Sequence, residues 1–228
     1  GGHSLKAVRI VARARRELGD GIAIADLFSQ PTIEALAIQI DGDSHRPKDE
    51  PQPDSTVPTL SAAQRRLWII EQMRPGTSAY HIAEAWHFNG ALDHARMRDA
   101  LTAVVARHET LRTVFRRDGD EVHAEVRPIE AFNVEFSDVA DIADAESIAA
   151  QRLAICAAEP FNFSAGPLFR AVVIRVAAEH HLVLLVMHHI VSDGWSMELI
   201  MREFATLHND GISALATLPP VTPYRHYA

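Results

Sequence analysis

The amino-acid sequence predicts an α/β domain that is preceded by a short helical fragment and a linker. From Leu60 onward, strand-like and helix-like apolar patterns alternate, as in a domain that packs helices on a sheet. Residues 42–58 contain four prolines, many charged residues and one aliphatic residue, Val57. Such a segment buries too little apolar surface to order itself, which is typical of a linker. We therefore divide the chain into residues 1–41, 42–58 and 59–228.

Residues 1–41 contain two predicted helices and are too short to form a core of their own. The first lies in the segment SLKAVRIVARARREL, which has an apolar stripe and is followed by Gly19 as a stop signal. The second lies in PTIEALAIQI, with Pro31 at or just before its first residue. Because the sequence starts abruptly at the predicted start of a helix, we expect that an N-terminal part is missing.

Residues 59–228 begin with a helix, a strand and a second helix. Ser61 and Gln64 have the spacing of a capping box at the start of the helix SAAQRRLWIIEQM. The segment AYHIAEAWHF indicates a strand, and a helix follows from about Asp93. This helix has an apolar stripe that ends at a histidine and consists of Met97, Leu101, Val104, Val105 and His108.

Two hairpins and a last helix follow. The pair Asp118-Gly119 between β-rich arms is typical of a tight hairpin turn. Residues 167–190 predict two strands around a turn at Ala178-Glu179. The second of these strands is almost entirely apolar, as expected for a strand that is covered on both faces. The last predicted helix runs from about residue 195 to residue 208.

Composition excludes several classes of protein. The formal net charge of -8 argues against a binder of nucleic acid, which would present a basic stripe. No apolar run is long enough to cross a membrane. Cys156 is the single cysteine, so it forms no intramolecular disulfide, and its small apolar neighbours favour inert packing over a reactive thiol. These features fit a cytoplasmic protein.

The segment MHHIVSDGWSM (residues 187–197) is the strongest candidate site. If residues 182–190 form a strand, His188 and His189 point to opposite faces, so only one of them can reach a given reacting atom. A shared metal ion is therefore disfavoured, since zinc needs three or four converging ligands and the usual spacings are absent. Two structural histidines are the alternative, but a junction between strand and helix commonly presents side chains to a cleft.

Asp193 and Gly194 close this segment. Asp193 fits a helix cap, a catalytic acid or base, or a buried anion paired with an arginine. We favour the pair, because an ionised carboxylate near a core strand needs a partner. Gly194 has no side chain and would let a ligand approach the backbone.

MHHIVSDGWSM resembles the motif HHxxxDG of condensation domains in nonribosomal peptide synthetases. Three further stretches resemble other motifs of the family in the same order: SAAQRRLWIIEQM, RHETLRTVF (residues 107–115) and PFNFSAGPLFRA. At the other end of the chain, GGHSL resembles the attachment motif of peptidyl carrier domains, in which a serine, here Ser4, carries phosphopantetheine. A serine at a helix N-terminus would also suit an attached phosphodiester.

The resemblance implies part of a four-helix carrier bundle at residues 1–41. It also implies the N-terminal half of a condensation domain, with a fold like that of chloramphenicol acetyltransferase. The implied reaction is amide formation, in which the amine of an acceptor aminoacyl thioester attacks the thioester of the donor carrier. Another carrier-dependent acyltransferase, which forms esters or only recruits partners, is the alternative. Implied partners are neighbouring synthetase domains, an acceptor carrier and a phosphopantetheinyl transferase.

The family positions also imply roles for the residues of the segment. His189 would face the substrates, as a base or by positioning the amine, and His188 would be structural. Asp193 would form a buried salt bridge with Arg112, or as second choice with Arg107. Gly194 would leave room for the pantetheine arm. Three residues of the opening helix are expected to be scaffold: Gln64, Arg65 and Trp68.

Overall fold

A computed structural model describes residues 32–42, 60–119, 121–130 and 132–226, together with residues 10, 13 and 14. The chain divides into two compact units, with the boundary between residues 53 and 54. In the first unit, helix α1 (Ile33–Gly42) follows Thr32, whose hydroxyl accepts a hydrogen bond from the amide of Ala35 at 3.3 Å. This confirms the second predicted helix. Ser4, most of the predicted bundle and most of the linker lie outside the described residues.

The second unit contains a four-stranded sheet with the order β1-β6-β5-β4 and a separate hairpin of β2 and β3. Its strands are β1 (His81–Asn89), β2 (Thr113–Asp118), β3 (Glu121–Val126), β4 (Val134–Asp138), β5 (Phe169–Ala177) and β6 (His180–His188). Strand β6 pairs antiparallel with both β1 and β5, whereas β4 pairs parallel with β5. The predicted turns at Asp118-Gly119 and Ala178-Glu179 are confirmed, and Gly119 supplies a φ of 59° to the first.

Helices cover both faces of this sheet. They are α2 (Ala62–Met73), α3 (His94–Arg107), α4 (Ala145–Ala158) and α5 (Gly194–Asp210), with short 3-10 turns at Glu109–Arg112, Ile212–Thr217 and Tyr224–His226. Helices α3 and α5 bury their apolar stripes in one cluster with Val183 and Leu185 of β6. Helix α4 packs on the other face, in a cluster that contains Leu184 and Val186. Alternate residues of β6 thus point into two cores, as its apolar sequence predicts.

Local signals explain where the helices begin. Ser61 and Gln64 form the predicted capping box, because each side chain accepts a hydrogen bond from the backbone amide of the other. Asp93 caps α3 by accepting from the amides of Ala95 and Arg96. The predicted stripe of α3 is buried in the core. The mixed α/β class predicted for residues 59–228 is therefore confirmed.

Candidate active site

The candidate site is the turn that leaves β6 and enters α5. Strand β6 ends at His188, two residues earlier than predicted, because the amide of Val191 donates to the carbonyl oxygen of His188 at 3.1 Å and closes a turn. His189 is the first residue of this turn. Its own amide still donates to the carbonyl oxygen of Tyr80 at 2.8 Å, so the residue stays anchored beside the start of β1.

His188 is 2% exposed and belongs to the scaffold of the turn. Its Nδ1 accepts a hydrogen bond from the amide of Ile190 at 3.0 Å, and its ring meets that of Phe163 edge-on at 4.7 Å between centroids. Burial, with smaller contributions from the neighbouring His81 and His189, lowers the pKa of His188 to about 4. The imidazole is therefore neutral at physiological pH, with its proton on Nε2.

His189 points away from the core and is exposed. Its Nδ1 lies 2.8 Å from the carbonyl oxygen of Ser192. A carbonyl oxygen can only accept, so Nδ1 carries a proton and donates it to this bond. In the neutral ring Nε2 is then left as the hydrogen-bond acceptor and the basic atom. The two adjacent histidines thus carry their protons on different ring nitrogens, and His188 is buried whereas His189 is exposed. This agrees with the prediction that their side chains point to opposite sides.

The predicted buried salt bridge of Asp193 is wrong. Asp193 is exposed and caps α5, because its Oδ1 accepts from the amide of Ser196 at 2.8 Å and from the hydroxyl of Ser196 at 2.7 Å. Arg112 instead donates from one terminal nitrogen to the carbonyl oxygen of Arg127 at 2.6 Å, which ties the 3-10 turn to the end of β3. Arg107, the second choice, pairs with Glu203. Hydrogen bonds from the start of its own helix satisfy the Asp193 carboxylate, so it needs no arginine.

Gly194 is the first residue of α5 and faces open space. A methyl group added at its Cα would meet no atom within 4 Å, apart from its chain neighbours and the backbone of its own helix. The strand-to-helix junction therefore has a free approach to its backbone on this side. That a ligand uses this space stays a prediction.

A cavity of about 370 Å³ lies beside the turn. Its lining includes His189, Asp193 and Ser196, residues at the end of α3, and residues of the segment that follows α5. This segment, residues 211–226, is called the C-terminal tail below. The tail residues that take part are Val221, Thr222, Pro223 and Tyr224. The histidine with the available Nε2 therefore belongs to a concave site large enough for a small acyl or aminoacyl group.

Sequence reasoning missed a buried ionic cluster beside this cavity. The carboxylate of Glu203 is held by Arg107 Nε, 3.2 Å from each oxygen, and by His108 Nε2 at 2.7 Å. Both Arg107 and His108 line the cavity. The signal was a glutamate within the apolar stripe of α5, which in a buried position requires a cationic partner.

Gln64 joins the opening helix to the turn. Its side chain is buried, and its Nε2 donates to the carbonyl oxygen of Ile190 at 3.2 Å, one residue after His189. The same side chain completes the capping box with Ser61. The expectation that Gln64 is scaffold fits this geometry, and the contact explains why the first helix lies close to the histidine turn.

Comparison with known proteins identifies the chain. A family model described as "Condensation domain" matches residues 54–228. The chain belongs to the condensation-domain family. A second model, described as "Phosphopantetheine attachment site", matches residues 1–40. The first part is therefore a carrier segment for covalently bound phosphopantetheine, and the resemblance drawn from the motifs is confirmed.

A plipastatin synthase and a linear gramicidin synthase are among the similar proteins. The chain is 35% identical over 217 residues to a plipastatin synthase of Bacillus subtilis (strain 168), a match that covers 92% of the chain and 8% of that protein. It is 38% identical over 214 residues to a linear gramicidin synthase of Brevibacillus parabrevis, a match that covers 89% of the chain and 3% of that protein. The chain thus spans less than a tenth of the length of these two relatives.

Solved condensation domains share the fold. The starter condensation domain of rhizomide synthetase RzmA superposes with a TM-score of 0.64 at 28% identity, over 74% of this chain and 40% of that chain. The first condensation domain of the calcium-dependent antibiotic synthetase gives 0.61 at 27% identity, over 69% of this chain and 39% of that chain. Among the described residues, no helix is long and apolar enough to span a membrane.

Proposed function

We propose that this chain is the part of a nonribosomal peptide synthetase that joins a carrier-bound donor to the amine of an acceptor. Its carrier segment would hold the donor on Ser4, and the condensation domain would form the amide bond. The observation that carries the proposal is the hydrogen bond from His189 Nδ1 to Ser192, which leaves Nε2 as the acceptor in a ring that lines the cavity.

The proposed chemistry exchanges a thioester for an amide. The acceptor nitrogen attacks the donor carbonyl carbon, the new C–N bond forms, and the C–S bond breaks to release a thiol. The nitrogen loses one proton in this exchange, and the departing sulfur gains one. Nε2 of His189 can accept the proton of the attacking amine, or it can hold that N–H in line with the carbonyl. Both roles require Nε2 without a proton.

Other residues support this assignment. The bond to Ser192 fixes the tautomer and the orientation of His189, which a general base needs before substrate arrives. We assign Asp193 to the cap that starts α5 beside the turn, and His188 to the buried side of the turn. The open space at Gly194 would admit the arm of a carrier. Arg112 would act at a distance, by fixing the hairpin that follows the 3-10 turn.

The carrier segment completes the proposal. We assign residues 1–41 to part of a carrier four-helix bundle, residues 42–58 to a linker and residues 59–228 to the N-terminal half of the condensation domain. A phosphopantetheinyl transferase would modify Ser4, and phosphopantetheine would supply the thiol that carries the donor. The partners would be neighbouring synthetase domains and an acceptor carrier, in the cytoplasm.

The test uses the complete synthetase module with both carriers. The donor carrier is loaded at Ser4, and the acceptor carrier holds either an amino acid or the matching hydroxy acid. We expect mass spectrometry to detect an amide from the amino acid and far less ester from the hydroxy acid. A preference for the hydroxy acid would identify an ester-forming enzyme. Donor loading that survives Ser4→Ala would overturn the assignment of Ser4.

A further inference from the structure

The ionic cluster of Glu203 extends to the C-terminal tail of the chain. The side chain of Glu203 is 4% exposed, and that of Arg107 is 14% exposed. A carboxylate with so little access to water is stable only when its partners compensate the lost solvation. Arg107 and His108 provide this compensation, since both donate to the same carboxylate.

Arg107 uses one of its two terminal nitrogens to hold the tail. Nη2 of Arg107 donates a hydrogen bond to the carbonyl oxygen of Pro219, which lies just after the 3-10 turn Ile212–Thr217. From Pro219 the chain continues through residues 221–224, which line the cavity with His189. Glu203 therefore orients the guanidinium of Arg107, which binds the chain at Pro219, just before the tail residues that line the cavity.

The tail is held a second time at its other end. The hydroxyl groups of Tyr224 and Ser61 lie 2.9 Å apart, which ties the tail to the N-cap of α2. Arg225 adds an ion pair to Glu109 at 3.7 Å, but this pair is more exposed. Between these two attachments, residues 220–223 form neither helix nor strand, and the two attachments contribute to the position of this segment.

We propose that Glu203 is a positioning residue for the substrate cavity. It acts through Arg107, which fixes the tail and thereby the width of the cavity beside His189. This inference rests on the proposed function, because the cavity is taken to receive the thioester substrates. Glu203 does not touch the reacting atoms, so its loss should weaken substrate binding and leave turnover nearly unchanged.

The test compares Glu203→Gln and Arg107→Gln in the complete synthetase module. Glutamine keeps the shape of the glutamate but removes its charge, and loss of a charge-assisted hydrogen bond corresponds to about a tenfold effect. We expect the KM for a loaded acceptor carrier to rise about tenfold. The turnover number should change by less than about threefold, and the pH profile of turnover should stay unchanged. The double variant should be no worse than either single variant, because both changes remove the same link.

Hydrogen exchange of the tail provides a readout that does not need activity. In either variant, amides of the peptide covering residues 212–224 should exchange about tenfold faster than in the unchanged protein. Arg107→Gln removes the same link from its other side and keeps the test valid if Glu203→Gln does not fold. Tyr224→Phe should speed exchange of the same peptide at the other attachment. Arg116→Gln, which removes an exposed ion pair to Glu125 on the β2–β3 hairpin, is the matched control and should change neither KM nor exchange.

The outcomes separate this inference from the proposed function. If the unchanged module forms no amide, the proposed function fails, while the exchange data still decide whether Glu203 fixes the tail. Unchanged exchange and KM in the folded variants would overturn the inference. A shifted pH profile with unchanged KM would also overturn it, because Glu203 would then act on the protonation of the site.

Discussion

Nδ1 of His189 donates a hydrogen bond to the carbonyl oxygen of Ser192, and the two atoms lie 2.8 Å apart. Two more side chains bind carbonyl oxygens of the same turn. The Ser192 hydroxyl donates to His188 at 3.2 Å, and Gln64 donates to Ile190 at 3.2 Å. The turn is therefore stabilised by side chains from within and by one from α2, and its rigidity fixes the imidazole of His189.

Gln64→Leu should destabilise the domain and loosen the turn. The change leaves the buried carbonyl oxygen of Ile190 and the amide of Ser61 without their partner, and an unsatisfied buried polar group costs about 1–3 kcal/mol. Chemical denaturation would measure the loss in free energy of unfolding. Arg65→Leu, at the exposed neighbouring position, is the control and should change this free energy by less than about 0.5 kcal/mol. Equal stability of the two variants would contradict the role of Gln64.

Substitutions of Asp193 distinguish a helix cap from a buried ion pair. Asp193→Ala should lower the free energy of unfolding by about 1 kcal/mol, because α5 loses the acceptor for Ser196. Asp193→Asn should stay close to the unchanged protein, since asparagine caps equally well. A buried pair with Arg112 would instead make Asp193→Asn cost about 3–5 kcal/mol. Thermal or chemical unfolding of both variants measures the difference.

His188 should make the fold sensitive to acid. Burial lowers the pKa of His188 to about 4, whereas in the unfolded chain it returns to the ordinary value of 6.5. Between these two values the unfolded chain binds more protons than the folded one, so stability falls as the pH falls. The loss at pH 4 relative to neutral pH should be roughly 3 kcal/mol from this residue alone.

His188→Gln provides the check on this pH dependence. It removes the titrating group, so the slope of unfolding free energy against pH should flatten between about pH 6.5 and about pH 4. Some slope should remain, because burial also lowers the pKa of His181. If the variant kept the full slope of the unchanged protein, His188 would not be its source.

Gly194→Leu should separate folding from substrate access. A Cβ at Gly194 meets no atom within 4 Å beyond its chain neighbours and the backbone of its own helix, and leucine favours helix over glycine. We therefore expect unchanged or higher stability. Amide formation with carrier-bound substrates should fall at least about tenfold, because the leucine fills the approach to the turn. Full activity of a folded variant would show that no substrate passes this position.

Patterns that depend on local chemistry were predictable from the sequence. The capping box of Ser61 and Gln64, the Asp118-Gly119 turn and the two-sided burial of β6 each follow from residues that are close in sequence. The alternation of side chains along a strand also predicts that His188 and His189 point to opposite sides, although the strand ends before the second histidine. The separation holds because His188 keeps its place in the strand and the chain turns directly after it.

Contacts between distant segments were not predictable in this way. Asp193 was assigned an arginine partner because a buried anion needs one, but the residue is exposed and its own helix satisfies it. Glu203 is instead the carboxylate with this requirement, and its partner Arg107 lies 96 residues away in sequence. Electrostatics requires that a buried carboxylate has a cationic partner. Which carboxylate is buried depends on the packing of α3 against α5, which the sequence does not show.

The most direct test of the proposed mechanism measures single-turnover amide formation by His189→Ala in the complete module with both carriers loaded. We predict a rate at least about 100-fold below that of the unchanged protein, since general-base catalysis or positioning by Nε2 is lost. Circular dichroism should show that the variant is folded, because the His189 ring is exposed. A folded His189→Ala protein that forms the amide at the unchanged rate would contradict the central claim that Nε2 of His189 acts on the acceptor amine.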